Sequence, residues 1–396
     1  MKQNITSRLK RRELNNRFDP NVFVRTNYFN ESMIKRMIVE QEISLGSESY
    51  DDHITSGSWN YGGNLLGCGK AYNGVNIYAP FKKDQLLTTI KARQNHYLSD
   101  VVFMHRHNNL ISMAFRNHND GVNWTMSTGL NMESYVKVFD VETNIATTTY
   151  AFRGLVKNLK KSSAFPNNIW FNIDQTNHTI AEADIRSNKY RLIKFGVVDE
   201  LENLLHKRTF DIHPFDEKTI AVGYKQRLSF YDRRKITSSS VAQPVESIDF
   251  SSLSDDGSVI DYIKYNPCGN KIVLTNTRGL SSEHYVVSAS NAKIINVCKL
   301  EDIESLAIAT MKTPKFLGEK YALFDVYYKN FAVVFDLERG LYVGKIQLNE
   351  NENSFYDICS FPHPDYCLIA AANQGSVSFI TPTCSAQKRT IESFSL

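Results

Sequence analysis

One short pattern recurs along this chain and limits its fold more than any other feature. A β-rich run ends in an aromatic residue and is often followed by aspartate. It stands as Val75-Asn76-Ile77-Tyr78, Val136-Lys137-Val138-Phe139-Asp140, Leu228-Ser229-Phe230-Tyr231-Asp232 and Phe331-Ala332-Val333-Val334-Phe335-Asp336, and lastly as Val377-Ser378-Phe379-Ile380. Ile180-Ala181-Glu182-Ala183-Asp184 and Ile294-Ile295-Asn296-Val297 are weaker members. The closing acids fall at 140, 184, 232 and 336, with Thr381 in that place at the end, so the spacings are 44, 48, 104 and 45. The interval of 104 counts as two units, because the Ile294 run lies inside it.

A turn followed by a small-residue apolar stretch precedes many of these runs. Examples are Gly62 to Gly69, His213-Pro214 to Gly223, Asn266-Pro267-Cys268-Gly269 to Leu274, and His363-Pro364 to Ala370. Asn-Pro-x-Gly and His-Pro set tight turns, and a continuously apolar strand after them is one buried on both faces. Units of about 40 to 45 residues with four short strands bury their faces only by stacking in a ring. The expected fold is therefore all-β, a seven-bladed WD-type β-propeller. Its blades are expected near 50–95, 96–150, 151–200, 201–245, 255–300, 303–350 and 353–386. Residues 105–109 and 117–124 read as polar loops of the second blade, taken together as one long loop over 105–124, and 238–257 as a linker before the fifth.

The divisions that follow are an N-terminal helical arm (1–37), the propeller (38–386) and a tail (387–396). In the arm, Asn4–Arg17 reads as a helix with Ile5 and Leu9 one turn apart, ended by Asp19-Pro20. A second short helix is expected over 31–39. Residues 38–45 alternate like a strand, which is expected to close the ring by pairing with the last blade and so remove a free sheet edge.

Composition excludes several classes. With 42% hydrophobic and 22% charged residues, the chain is globular rather than disordered. A net charge of +4 is too weak to make the whole molecule a nucleic-acid binder. No apolar run has membrane-span length, and the N-terminus lacks the apolar core of a signal peptide. A cytoplasmic or nuclear protein with reduced cysteines is expected.

Catalytic motifs are absent. Gly67-Cys68-Gly69 lacks the Gly-Lys-Ser/Thr of a phosphate loop. Cys359, His363 and Cys367 share a spacing of four, but Pro362 and Pro364 prevent a helix from aligning them, so no zinc site is expected. Asp255-Asp256-Gly257 reads as a turn. No cofactor is called for. An enzyme built on this ring would need acids and histidines converging in the central channel, and small apolar lining residues there would dispose of that reading.

The arm is basic, with nine Lys or Arg against three acids up to residue 36. A short helix without a core of its own is a candidate to dock in a partner's groove. The other informative feature is a pair, Asp184-Ile185-Arg186 and Asp232-Arg233-Arg234, 48 residues apart at matching positions of adjacent blades. Each aspartate can orient an arginine for planar contacts across an interface.

Paired Asp-x-Arg boxes with an N-terminal helix resemble the substrate receptors of cullin-4 RING ubiquitin ligases. More closely, Asn4-Ile5-Thr6-x-x-Leu9-x-Arg11-Arg12 and Ile34-Lys35-Arg36-Met37-x-x-Glu40-x-Glu42-Ile43 resemble the opening of the adipose (WD and tetratricopeptide repeats) family. Phe165-Pro166-Asn167-Asn168-Ile169-Trp170 leading to Asp184-Ile185-Arg186, Ala221-Val222-Gly223 leading to Tyr231-Asp232-Arg233-Arg234, and Tyr265 to Asn270 are similar to its successive blades. The family's tetratricopeptide part has no counterpart in this sequence.

The resemblance implies a non-enzymatic receptor that docks on the ligase's damage-specific DNA-binding adaptor and recruits a substrate protein. Ile5, Leu9 and Arg12 would make the helix contact. Arg186 and Arg234, held by Asp184 and Asp232, would make the rim contact. The opposite face, with the 105–124 loop, would take the substrate. The alternative is a scaffold in chromatin or corepressor assembly, with histones as partners; neither reading involves a membrane or direct nucleic-acid binding.

Overall fold

The structure is a computed structural model that describes residues 31–44, 53–82, 86–91, 96–117, 133–174, 179–195, 208–236, 241–253, 258–278, 281–298, 313–326, 329–348, 358–364, 366–373 and 376–382. The Asn4–Arg17 segment with Ile5, Leu9 and Arg12 lies outside these residues, as do Asp255-Asp256-Gly257 and 387–396. Among the described residues, 28 strands form seven four-stranded antiparallel sheets. The first strands of neighbouring sheets approach one another, Ile54–Trp59 beside His96–Phe103 and Arg208–Ile212 beside Val259–Tyr265. That places first strands around a central channel and makes each sheet a blade. Strands are lettered a to d from the channel outward. The molecule is a seven-bladed WD-type propeller. No helix among the described residues is long and apolar enough to cross a membrane.

The apolar runs of the sequence explain the stacking. The b and c strands are buried on both faces, as in Tyr321–Asp325 and Phe331–Asp336 of blade 6. The d strands bury one face only, so Ile145–Arg153 alternates exposed and buried toward its end. Seven apolar clusters fill the ring among the described residues, one in each seam between neighbouring blades. The Gly-rich b strand of blade 1, Leu66–Lys70, is such a packing strand. A Cβ on Gly67 would lie 2.8 Å from Ile111, and one on Gly69 2.7 Å from Leu98. Close approach to blade 2, not phosphate binding, accounts for these glycines.

Strand Met37–Ser44 pairs antiparallel with Ser376–Pro382, from Met37 opposite Pro382 to Ser44 opposite Ser376, and so becomes the d strand of blade 7. The helix expected over 31–39 is only Glu31–Ile34. The β-branched Ile38 and Val39 find strand partners in Thr381 and Ile380, and tertiary pairing overrides the helical reading.

Three further expectations need correction. In blade 5 the c strand is Ser281–Ser288, and the Ile294 run is the d strand Ile294–Cys298. The true c strand looked too polar because it buries His284, whose Nδ1 lies 3.0 Å from Thr275 Oγ1. In blade 4 the supposed linker contains the d strand Glu246–Asp249, where one apolar residue, Ile248, faces the seam. Residues 105–124 are not one loop. His105–Asn109 form a turn, Leu110–Asn117 is the b strand of blade 2 with a buried centre, and 118–124 lie outside the described residues.

Candidate functional site

In an antiparallel blade the a–b and c–d turns share one end. One backbone bond repeats on this rim. The residue after strand c donates its N–H to the carbonyl of the residue before strand b. The pairs are Val141 to Asn109 (2.8 Å), Ile185 to Asn167 (2.9 Å), Arg233 to Lys218 (2.6 Å), Ala289 to Asn270 (3.0 Å) and Leu337 to Lys320 (2.8 Å). The turns of blades 2, 3, 5 and 6 go on to a left-handed residue at Asn144, Asn188, Ala292 and Gly340, whereas blade 4 continues as the 3-10 turn Arg233–Lys235, so the five turns share their start and not their whole backbone. Four of them begin with aspartate, and in each the Asp Oδ1 accepts the N–H two residues on: Glu142 (2.9 Å), Arg186 (3.0 Å), Arg234 (3.0 Å) and Glu338 (2.9 Å). The aspartate is thus first a turn residue, folding the backbone after its strand.

Blades 3 and 4 add a second role. Arg186 Nε donates to Asp184 Oδ1 at 3.0 Å and Nη2 to Oδ2 at 2.7 Å. Arg234 repeats this on Asp232 at 3.1 and 2.8 Å. Both arginine side chains are exposed, at 67% and 58%. The hydrogen bond from Arg186 holds the Asp184 carboxyl below the usual range, and that from Arg234 brings Asp232 to about 2. Such exposed pairs add little stability. Their effect is to fix the plane of each guanidinium while leaving its remaining N–H groups for another acceptor.

Residues that the sequence reading missed support these turns. Tyr150, from strand d of blade 2, donates its hydroxyl to Asp184 O at 2.7 Å, and Thr148 Oγ1 donates to Ile185 O at 3.0 Å. Arg233, the middle residue of the second box, reaches back to Glu182 of blade 3 and lies over the Phe165 ring at 4.2 Å. Glu182 is buried and also receives Arg191 and Asn168 Nδ2, the latter at 2.6 Å. The signal was available, since an acid inside the apolar run Ile180-Ala181-Glu182-Ala183 must find cations when buried. This tie locks blade 3 to blade 4 directly beneath the two arginines.

The arm enters at the same rim. Met37 begins its strand opposite Pro382, the end of strand c of blade 7, so the chain before it arrives from the end that carries Arg186 and Arg234. Ile34 and Met37 are buried in the seam of blades 6 and 7. The rim also holds the His105–Asn109 turn. His107 Nε2 lies 2.9 Å from Asn167 Oδ1, just before the blade 3 b strand. This part of the span expected on the opposite face therefore sits beside the first Asp-x-Arg box.

His363 is a structural pin. Its Nε2–H donates to Gly63 O at 2.6 Å, and its Nδ1 accepts Tyr366 N–H at 2.9 Å, so both ring nitrogens are engaged within the fold. His213 does the same work three blades earlier. Its Nδ1 accepts Asp216 N–H at 2.7 Å, and its ring packs on Gly269. Gly63 and Gly269 have φ of +70° and +72°, and a Cβ on either would run into the histidine ring.

The channel is a cavity of about 900 Å³ and is not lined by small apolar residues. Its acids are largely engaged by the next blade. Asp100 accepts Leu159 N–H at 2.7 Å, Asp211 accepts Tyr265 N–H at 2.8 Å, and Asp325, behind the lining, accepts Ser360 N–H at 2.9 Å. These carboxylates tie blade 2 to 3, 4 to 5 and 6 to 7. Burial raises the Asp100 pKa to about 6.

No protein family and no curated protein matches the sequence. Among solved structures, the chain is similar to the Cps50 (Swd1) β-propeller domain of Myceliophteria thermophila. The two are 14% identical with a TM-score of 0.63, over 88% of this chain and 100% of that one. It is also similar to a chain of the mitotic checkpoint complex, at 13% identity and a TM-score of 0.61, over 90% of this chain and 93% of that one. At such identities the likeness shows the fold alone, a β-propeller.

Proposed function

We propose that this propeller is a non-enzymatic substrate receptor of the adipose type. Its rim at blades 3 and 4 docks on the damage-specific DNA-binding adaptor of a cullin-4 ubiquitin ligase, and the opposite face presents a protein for ubiquitination. One observation carries the reading. Two exposed arginines, in register on adjacent blades, are oriented by the same bidentate aspartate clamp on the rim where the arm enters. Fixed guanidiniums lose little entropy on meeting an acceptor, which suits them to anchor an interface. The arm, which joins the ring at blade 7, would add a separate helix contact through Ile5, Leu9 and Arg12.

Co-purification of the full chain with the adaptor tests this, comparing wild type, a deletion of residues 1–17 and the Arg186→Ala, Arg234→Ala double variant. Capture by wild type and loss in both folded variants supports the receptor reading. Absence of capture by folded wild type overturns it and leaves a scaffold without ligase contact.

A further inference from the structure

Within the channel, charge is sorted by level. Lys160, Asp211, Lys264 and Lys315 belong to the a strands of four successive blades, 3 to 6. Each pairs with the third residue of its own b strand: Trp170, Ala221, Val273 and Leu323. Equal register places the four at one height, near the Arg186 and Arg234 rim, and all four line the cavity. Asp100 and Asp261 lie about two residues deeper, roughly 7 Å toward the opposite end.

Ion pairing at the lysine level leaves one cation over. Lys160 Nζ lies 3.7 Å from Asp211. Lys315 is taken by Asp325, which in turn binds Ser360. Lys264 has no carboxylate of the described residues within ion-pair distance, although it is surrounded by the walls of the ring. Lys264 is half-buried on the wall of the cavity of about 900 Å³, and a cation there with Lys160 and Lys315 nearby favours either a counter-ion or loss of its proton. Burial, with Lys160 and Lys315 close by and Asp211 and Asp100 opposing them, holds its ammonium pKa down to about 8.

We propose that this level of the channel binds a small oxyanion of the phosphate class, with Lys264 as its main ligand and Lys160 and Lys315 as flanking cations. Lysine suits the role, because its ammonium is a compact charge with three donors that can turn to meet an anion. The site stands apart from the rim arginines, so it neither requires nor implies the adaptor contact.

Calorimetric titration of the full chain with sodium phosphate, at constant ionic strength set with sodium chloride, tests it. Three proteins are compared: wild type, Lys264→Met, and the Arg186→Ala, Arg234→Ala double variant. Wild type and the double variant are expected to bind at one site with equal affinity, and Lys264→Met at least about tenfold more weakly. The proposal is overturned by no saturable binding in wild type, by unchanged binding in Lys264→Met, or by loss in the double variant alone, which would put the anion on the rim. Thermal melting without phosphate guards against misfolding. Removing an uncompensated charge should leave the Lys264→Met midpoint no lower than wild type, and a clear drop would mean that Lys264 is already compensated within the fold.

Discussion

The c–d turns of blades 3 and 4 and those of blades 2 and 6 open on the same aspartate and the same backbone bond, yet carry opposite charges at the next-but-one position. Arg186 and Arg234 stand where Glu142 and Glu338 stand in the other pair. In all four, the aspartate bonds the same backbone N–H. The aspartate of an Asp-x-Arg box is therefore a residue of the fold, and only the arginine is surplus to it. What marks blades 3 and 4 as a candidate interface is the clamp added to the common start of the turn, together with the Glu182–Arg233 tie beneath it.

The largest expected effect comes from removing that tie. Glu182→Ala leaves Arg233 and Arg191 without their buried acceptor and should cost about 3 to 5 kcal/mol in urea unfolding. Glu142→Ala, at an exposed turn, should stay within about 0.5 kcal/mol. Next is binding. The Arg186→Ala, Arg234→Ala double variant should lose roughly a hundredfold in adaptor capture at unchanged urea midpoint. Replacing Glu142 and Glu338 by alanine should change capture by less than about twofold.

Acid separates the turns from the core. His284 is buried and its pKa is pushed down to about 3 by desolvation. The unfolded chain therefore binds more protons, and stability falls as pH drops below about 6.5. The loss from this residue should be about 2 kcal/mol at pH 5, seen by comparing urea curves at pH 7 and 5. A His284→Gln variant should show a shallower pH dependence. Asp184 and Asp232, held low by their arginines, stay ionised across that range, so the clamps should outlast the core.

A smaller effect tests the shared role. Asp140→Ala and Asp184→Ala should each cost about 1 kcal/mol, the scale of one lost side-chain cap on a backbone N–H. A markedly larger cost at Asp184 would mean that the clamp also stabilises the fold. Least of all, Glu142→Arg should build a third clamp with stability within about 0.5 kcal/mol and no gain in capture, unless the partner reads blade 2 as well.

Blade number and the closing aspartates were legible in the sequence because apolar c strands ending in aromatic-Asp repeat at one period. Blade 5 escaped the pattern because its buried polar residue, His284, is satisfied by Thr275 from the neighbouring strand, a contact invisible along the chain. The outer strand Glu246–Asp249 escaped because a d strand needs few apolar residues. The arginine pair could be read from spacing, but its supports could not. Tyr150 and Thr148 arrive from another blade, and Arg233 looked like part of a basic run until Glu182 was found beneath it. The lysine level of the channel depends on register across four blades, which no linear pattern displays.

The closing strand ties synthesis to folding. Glu40 and Thr381, bonded in blade 7, are 341 residues apart. At about 5 to 20 residues per second, the strand Met37–Ser44 leaves the ribosome tens of seconds before its partner exists. During that interval it is an unpaired edge strand, and the half-built ring exposes seams that later blades cover. A chain arranged this way depends on protection while it is being made. A circular permutant that places Met37–Ser44 directly after Pro382 should depend on it less.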